Sequence, residues 1–397
     1  MLNRNFNLLW LSQIVSSIGN KLTIFGFPLV GIFIYDTTVL ETSMITVMSF
    51  LPSLLFGTII GVVVDRGDKR KIGIFTNIIC FVISILFVFS IFKILPLWGF
   101  YILIFLLNTF LLFGSISFYS QIPMVVEKEN LKKANYKMEL SNSVIDTAAP
   151  SVGGIIFGLF SAPFIFIIDG ITFVLASFCQ ILLPCDIEKD RVKTKKKSIV
   201  HIREAYNYVF NNQILFKLAM SYFVLVFGIG IFQSIQFYYL SKVLNVSPYT
   251  IGMIISVGNI GLVVASVSSL KISDTIGMGK TIILSFILYA VGFTLYYLSS
   301  EESTLSLFVA TMCIGAAMPL YNVNATTIRQ SNVDLSMLGS VSAIWRIFGR
   351  GLIPLGATIG GGISTYFSVK IAILISVIIV LLGLCIVLFS DELKKHT

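Results

Sequence analysis

The chain has 397 residues, of which 56% are hydrophobic and 12% charged, with a formal net charge of +9 and a mean hydropathy of +0.94. Soluble domains carry about 25% charged residues, and a soluble fold of this composition would expose far too much apolar surface. A water-soluble globular domain is therefore excluded.

A helix crossing a hydrocarbon core about 30 Å thick needs about 20 mostly apolar residues. The sequence predicts twelve such spans, at 8–34, 42–64, 72–92, 98–123, 138–160, 162–184, 214–241, 249–271, 281–299, 304–327, 338–363 and 367–390. The first follows MLNRNFNLLW, which has no small-residue cleavage site after a short apolar core, so this helix is expected to be retained. Gln13, Ser16, Ser17, Asn20 and Lys21 run along one of its sides. The second ends in the charged segment GVVVDRGDKRK, Gly61 to Lys71. The fourth carries Asn108, the fifth Asn142 and Asp146, and the sixth Asp169, placed nearer the outer surface where a wetted role suits it as well as a buried one.

A polar stretch at 185–212 then separates six spans from six and contains DRVKTKKKS, a solvated linker or else a lipid- or partner-binding patch. Its second part spaces Ile202, Ala205, Tyr206 and Val209 on one helical face, as an interfacial helix would. The seventh span bears Gln233, Gln236 and Tyr239, the tenth Asn322, and the eleventh Arg346 and Arg350. The predicted organisation is an N-terminal six-helix bundle at 1–184, a basic linker at 185–212 and a C-terminal six-helix bundle at 213–397.

Orientation follows from lysine and arginine, which gather on the cytoplasmic side. The even-numbered connections and the tails hold 22 of the 28 basic residues, whereas the opposite loops hold only Lys93, Lys242 and Lys370 beside acids such as Asp36, Glu41, Glu301 and Glu302. Both termini are expected in the cytoplasm and the chain in the cell membrane. This bias accounts for the net charge, so no nucleic-acid partner is expected. The cysteines at 80, 179, 185, 313 and 385 lack metal-ligand spacing and the two histidines, His201 and His396, lie in cytoplasmic segments. With no phosphate-binding glycine loop and no nucleophile motif, neither enzyme activity, nor a cofactor, nor a resident metal is expected.

The halves echo each other. Asp65 pairs with Asp274, Pro123 with Pro319 and Pro150 with Pro354, at offsets of 209, 196 and 204 residues. Asn142, Asp146 and Pro150 share their i, i+4, i+8 spacing with Arg346, Arg350 and Pro354, and glycines follow each set. An ordered series at similar offsets predicts two parallel six-helix repeats.

GVVVDRGDKRK resembles the loop motif of the major facilitator superfamily, a glycine, then Asp-Arg four residues on, then a small residue and a basic pair. Here these are Gly61, Asp65, Arg66, Lys69 and Arg70, with Asp68 where many members have glycine. That variant, IPMVVEKENLKKANYKMELSNS after the fourth span and HIREAYNYVFNNQILFKL before the seventh are similar to the drug:proton antiporter-3 branch, which includes macrolide efflux proteins and the enterobactin exporter. The resemblance implies an all-α integral membrane protein of 12 transmembrane helices in two six-helix pseudo-repeats, the major facilitator fold. It implies a monomeric secondary transporter that exports an amphipathic organic compound by alternating access with proton antiport. A nutrient or sugar symporter, or a non-transporting sensor or scaffold, are the alternatives.

Asp65 is the gating candidate, because a carboxylate at the end of the second span could sit against the N-terminus of the eleventh, near Leu338 and Gly339, where free N–H groups favour an anion. Arg66 to Lys71 also serve topology by charge alone. Buried charges cost about 2.5–3.5 kcal/mol each by insertion scales, which singles out Lys21, Asp146, Asp169, Arg346 and Arg350. Asp146 is the proton-coupling candidate, with an ion pair to an arginine as the alternative. The superfamily's cavity-lining helices 1, 4, 7 and 10 add Asn108, Gln233, Gln236 and Asn322 to Lys21, Asn142, Arg346 and Arg350 as substrate candidates; helix packing would use the neutral polar residues equally well. Phe113, Phe118, Phe232 and Tyr321 offer apolar contact. The formal excess of one positive charge predicts neutral or anionic substrates.

Overall fold

The structure is a computed structural model that describes residues 3–184, 200–301, 304–333 and 337–390; the side chains of 128, 132, 200–205, 338–340, 343, 346–348 and 350 are outside that description. In lipid every backbone polar group must be satisfied within the protein, so a chain this apolar spans as helices or as a closed barrel. It forms helices: α1 (Arg4–Phe33), α2 (Val39–Arg66), α3 (Lys69–Ile91), α4 (Leu97–Val125), α5 (Leu131–Phe160), α6 (Pro163–Ile181), α7 (Val200–Asn211), α8 (Gln213–Tyr238), α9 (Pro248–Ile276), α10 (Met278–Leu298), α11 (Thr304–Ser331), α12 (Leu338–Tyr366) and α13 (Val369–Leu388). Among the described residues eleven are long and apolar enough to cross a membrane. The twelfth long helix, α12, has 29 residues and carries Arg346 and Arg350.

Each of the twelve predicted spans falls on one of these long helices, which overrun most of them by a few residues. The overruns have local causes. Asn3 accepts the Phe6 N–H at 2.8 Å and starts α1 at Arg4, and Asp68 accepts the Lys71 N–H at 2.9 Å and starts α3 at Lys69. The position where the loop motif usually has glycine is thus an N-cap. Six helices contain an internal proline, at 28, 52, 123, 150, 319 and 354, which neighbouring helices tolerate in a membrane by re-satisfying the freed carbonyls.

The helices gather into two compact units. The first comprises Met1–Thr37, Met48–Lys193 and Ser247–Ser256. Within it α1 packs on α6 and α5, and α3 on α6 and α4. Its centre is an aromatic cluster, with Phe87 stacked on Phe166 at 4.9 Å and Phe27 tilted against Phe87 at 5.1 Å. Ser256, in the first turns of α9, accepts from the Ser151 N–H at 3.0 Å and shares a hydroxyl bond with Ser151 at 2.8 Å, tying that segment to α5.

The second unit comprises Thr38–Val47, Thr194–Val246 and Val257–Thr397. Here α8 packs on α12 and α13, and α10 on α11 and α13. A π-helical turn at Tyr239–Val243 prolongs α8, and the Tyr239 hydroxyl donates to the Tyr296 carbonyl at 3.1 Å. Phe232 stacks on Phe293 at 4.4 Å. The helix expected in the second part of the linker is α7, where Val209 is buried and Tyr206 half-buried. The Ile202 and Ala205 side chains and the run DRVKTKKKS lie outside the described residues.

Candidate functional site

The polar side of α1 forms a site in the first unit. Gln13 donates to the Ser17 hydroxyl at 3.2 Å, and Ser16 donates to the Gln13 carbonyl at 3.1 Å. With Asn20, Thr76, Asn77 and Gln180 they line a small polar cavity of about 90 Å³. Asn20 Oδ1 and Gln180 Oε1 are buried there without a hydrogen-bond partner among the described residues. Polar cavities of this size hold water, and these two acceptors fit that role.

Lys21 Nζ lies 2.7 Å from Asp146 Oδ1, and both side chains keep about two-fifths of their exposure, 42% and 38%. Asp146 thus takes its cation from α1. The alternative pairing with an eleventh-span arginine involves Arg346 and Arg350, whose side chains lie outside the described residues. Asn142 is half-buried on the same helix. Asn108 spends its amide on the Ile104 carbonyl of its own helix, at 2.9 Å.

Asp169 takes the buried one of the two roles its sequence position left open. It is fully buried, 0% exposed, because the α6 turn that carries it lies directly against the backbone of α1. A Cβ at Gly19 would sit 2.6 Å from Asp169 Oδ1, a closeness only glycine permits. Hydropathy counting gives depth along the membrane normal; it says nothing about which way a residue faces.

The loop motif closes the other end of the first unit. Asp65 and Arg66 are exposed at the end of α2, and Gly61 has open space where a Cβ would be. Lys69 is buried, 8% exposed, and its carbonyl accepts from the Ser117 hydroxyl. Arg70 donates through Nε to the Gln180 carbonyl at 3.0 Å and through Nη2 to the Ile181 carbonyl at 2.6 Å. A guanidinium fork is suited to this task, since the last carbonyls of a helix have no intrahelical donor and carry its negative dipole end. Leu338 and Gly339, the expected counterpart of Asp65, have side chains outside the described residues.

The second unit contains a larger cavity of about 690 Å³. Gln233 and Asn322 line it with exposed side chains. Gln236 does not: its amide donates to the Tyr296 hydroxyl at 2.9 Å. The aromatic wall is Tyr222 stacked on Tyr321, ring centroids 5.6 Å apart at 15°, with Tyr289 and Trp345. Gly349 of α12 makes room for Tyr222, whose hydroxyl would collide with any Cβ there. Arg329 contributes the charge, its guanidinium carbon 5.1 Å from the centre of the Trp345 ring. Of the aromatics named from sequence, Tyr321 reaches this cavity, Phe118 is buried in a cluster with Phe6 and Ile122, Phe232 is buried on Phe293, and Phe113 stacks on Phe110.

Tyr222, Tyr289, Arg329 and Trp345 were not singled out from sequence. Arg329 reads there as one more cytoplasmic basic residue, and the α8 and α10 tyrosines as two among 15. One signal was available, since Arg329 lies within the 28-residue α11 with Asn322 and Tyr321, two turns back on the same helix.

The family model of the major facilitator superfamily matches residues 9–349 and 218–397. The chain belongs to the major facilitator superfamily. This superfamily member is 27% identical to macrolide efflux protein A of Streptococcus pyogenes over 222 residues, 54% of this chain and 53% of that protein, so the match spans about half of that relative's length. An uncharacterized MFS-type transporter of Bacillus subtilis, YvqJ, is 22% identical over 402 residues, 99% of this chain and 94% of that one. Among solved structures, a point mutant of the nucleoside transporter NupG superposes with a TM-score of 0.81 at 11% identity, covering 98% of this chain and 100% of that one. A bacterial homologue of the iron transporter ferroportin gives 0.76 at 14% identity, covering 98% of both. At such identities these likenesses establish the fold of this superfamily member, the major facilitator fold, and they agree with twelve long helices in two sets of six.

Proposed function

We propose that this superfamily member is a secondary active exporter of amphipathic, neutral or anionic organic compounds, driven by proton antiport. The observation that supports this reading most is the 690 Å³ cavity, where three tyrosines and a tryptophan surround two amides and one guanidinium. Such a lining takes up a large, partly apolar body and fixes a few polar points on it, and Arg329 disfavours permanent cations. A sugar site would need a denser set of hydrogen-bonding groups, and a scaffold would need no cavity at all. The match to a macrolide efflux protein points the same way for direction and substrate class.

In this reading both termini are cytoplasmic, the protein works as a monomer in the cell membrane, and two bundles, 1–184 and 213–397, alternate access around the linker at 185–212. Asp65 with Gly61, Arg66, Lys69 and Arg70 forms the gate element. Asp146 exchanges a proton as its pair with Lys21 opens, while Gln233, Asn322, Arg329 and Trp345 hold the substrate. Arg346, Arg350, Asn108 and Asn142 remain candidate substrate contacts from the sequence. The test is export from loaded cells or vesicles of macrolides, acidic siderophores and ethidium, with and without a proton uncoupler. Uncoupler-sensitive efflux of the first two classes is expected. Preferred efflux of ethidium, or efflux indifferent to the uncoupler, refutes the reading.

A further inference from the structure

The first unit buries a carboxyl group that the ion pair of Lys21 and Asp146 leaves unused. Asp169 has no exposed surface. Its Oδ2 receives the Thr23 hydroxyl at 2.7 Å and the Ser84 hydroxyl at a long 3.4 Å, and its Oδ1 has no hydrogen-bond partner among the described residues. Its side-chain hydrogen-bond partners among the described residues are both hydroxyls. A carboxylate ion in this position would lack both water and a cation, whereas the neutral acid needs neither.

Among the described residues, the charged and titratable groups on the packed helices offer no alternative partner. On α1, Lys21 is two residues from Gly19 but is held by Asp146 of α5. On α3, Arg70 is fixed on the Gln180 and Ile181 carbonyls at the far end of α6, and Lys71 lies 3.6 Å from Asp68. Lys69, beside them, is eleven residues before Cys80, which itself lies one turn before Ser84 on α3. On α6 itself Cys179 is ten residues away, and Arg4 stands at the start of α1.

A polar cavity lies one helical turn from the group. The 90 Å³ polar cavity is lined by Cys80 and Phe173. Ser84, one turn beyond Cys80, donates to the Cys80 carbonyl at 2.9 Å as well as reaching Asp169, and Phe173 is one turn beyond Asp169 on α6. The unpartnered acceptors Asn20 Oδ1 and Gln180 Oε1 fit this cavity for water, the carrier a proton needs. We propose that Asp169 is a proton-binding site, occupied in the conformation described here and served by water in the polar cavity that α1, α3, α4 and α6 line. The site stands on this geometry alone; its use in coupling rests on the proton antiport proposed above.

Infrared difference spectroscopy of the purified full-length protein tests the site without any substrate. At neutral pH the wild type is expected to show a carboxylic acid C=O band that shifts in D2O and on 13C-aspartate labelling. Asp169→Asn, which keeps the size of the neutral acid and should fold, is expected to lose that band. Thr23→Val, which removes the 2.7 Å donor, is expected to shift it to higher frequency. A missing band in the wild type, or a band unchanged in Asp169→Asn, overturns the proposal. The export screen decides the antiport reading separately: uncoupler-insensitive flux with an intact Asp169 band would refute antiport and leave the proton site standing.

Discussion

Lys21 Nζ and Asp146 Oδ1 stand 2.7 Å apart and join α1 to α5 through side chains that are still two-fifths exposed. A pair this open contributes about 0–1 kcal/mol to stability in water, so its retention in a membrane span points to function more than to folding. Removing one partner leaves a lone charge, while removing both leaves none. Lys21→Gln and Asp146→Asn should each abolish uphill export in a pH-gradient vesicle assay. Restored downhill exchange, but not uphill export, is expected in the double variant. If Asp146→Asn alone still exports uphill, the pair is structural and the proton is exchanged elsewhere.

Arg70 secures the end of α6. Its two bonds, 3.0 and 2.6 Å to the Gln180 and Ile181 carbonyls, are of the charge-assisted kind worth about 1.5–3 kcal/mol. Arg70→Gln should therefore lower the melting temperature of the detergent-purified protein, and Arg70→Lys should recover only part of it, since an ammonium cannot span both carbonyls in one plane. An unchanged melting temperature in Arg70→Gln would show that charge near the membrane surface is all this residue supplies.

The helices were legible in the sequence because a membrane imposes one rule on every span: apolar residues in a run long enough to cross. Positions along a helix therefore came out within a few residues, as with α10, expected at 281–299 and found at Met278–Leu298. Direction around a helix did not, because lipid-facing and buried apolar residues have the same composition. Asp169 shows the consequence: its burial depends on Gly19 of a helix 150 residues earlier. Likewise Gln233 and Gln236 sit on one stripe of the seventh span, yet one lines the cavity and the other binds Tyr296. The Asp68 cap was hidden because the family motif framed it as a replaced glycine. Capping was its own local signal.

Asp65 is exposed at the end of α2, so its carboxylate supports no packing within the first unit. Asp65→Asn should leave insertion and thermal stability unchanged while cutting transport about tenfold or more, the effect of losing about 1.4 kcal/mol from one conformational state. Wild-type flux at equal membrane abundance would remove Asp65 from the gate.

Arg329 and Trp345 share one wall of the large cavity, with the guanidinium 5.1 Å from the ring centre. A partly desolvated contact of this kind is worth about 0.5–2 kcal/mol, and a ligand that stacks on the indole also meets the positive charge beside it. Arg329→Gln keeps length and hydrogen-bonding capacity but removes the charge. It should raise KM for anionic substrates about tenfold, as about 1.4 kcal/mol of lost attraction requires, and leave neutral macrocycles within about threefold. Trp345→Ala should weaken both classes alike, because it removes apolar area instead of charge. The discriminating measurement is the ratio of the two KM changes in Arg329→Gln, taken from initial efflux rates. An equal change for anionic and neutral compounds would mean that Arg329 only orders the Trp345 ring, and that the charge of the substrate is recognised elsewhere.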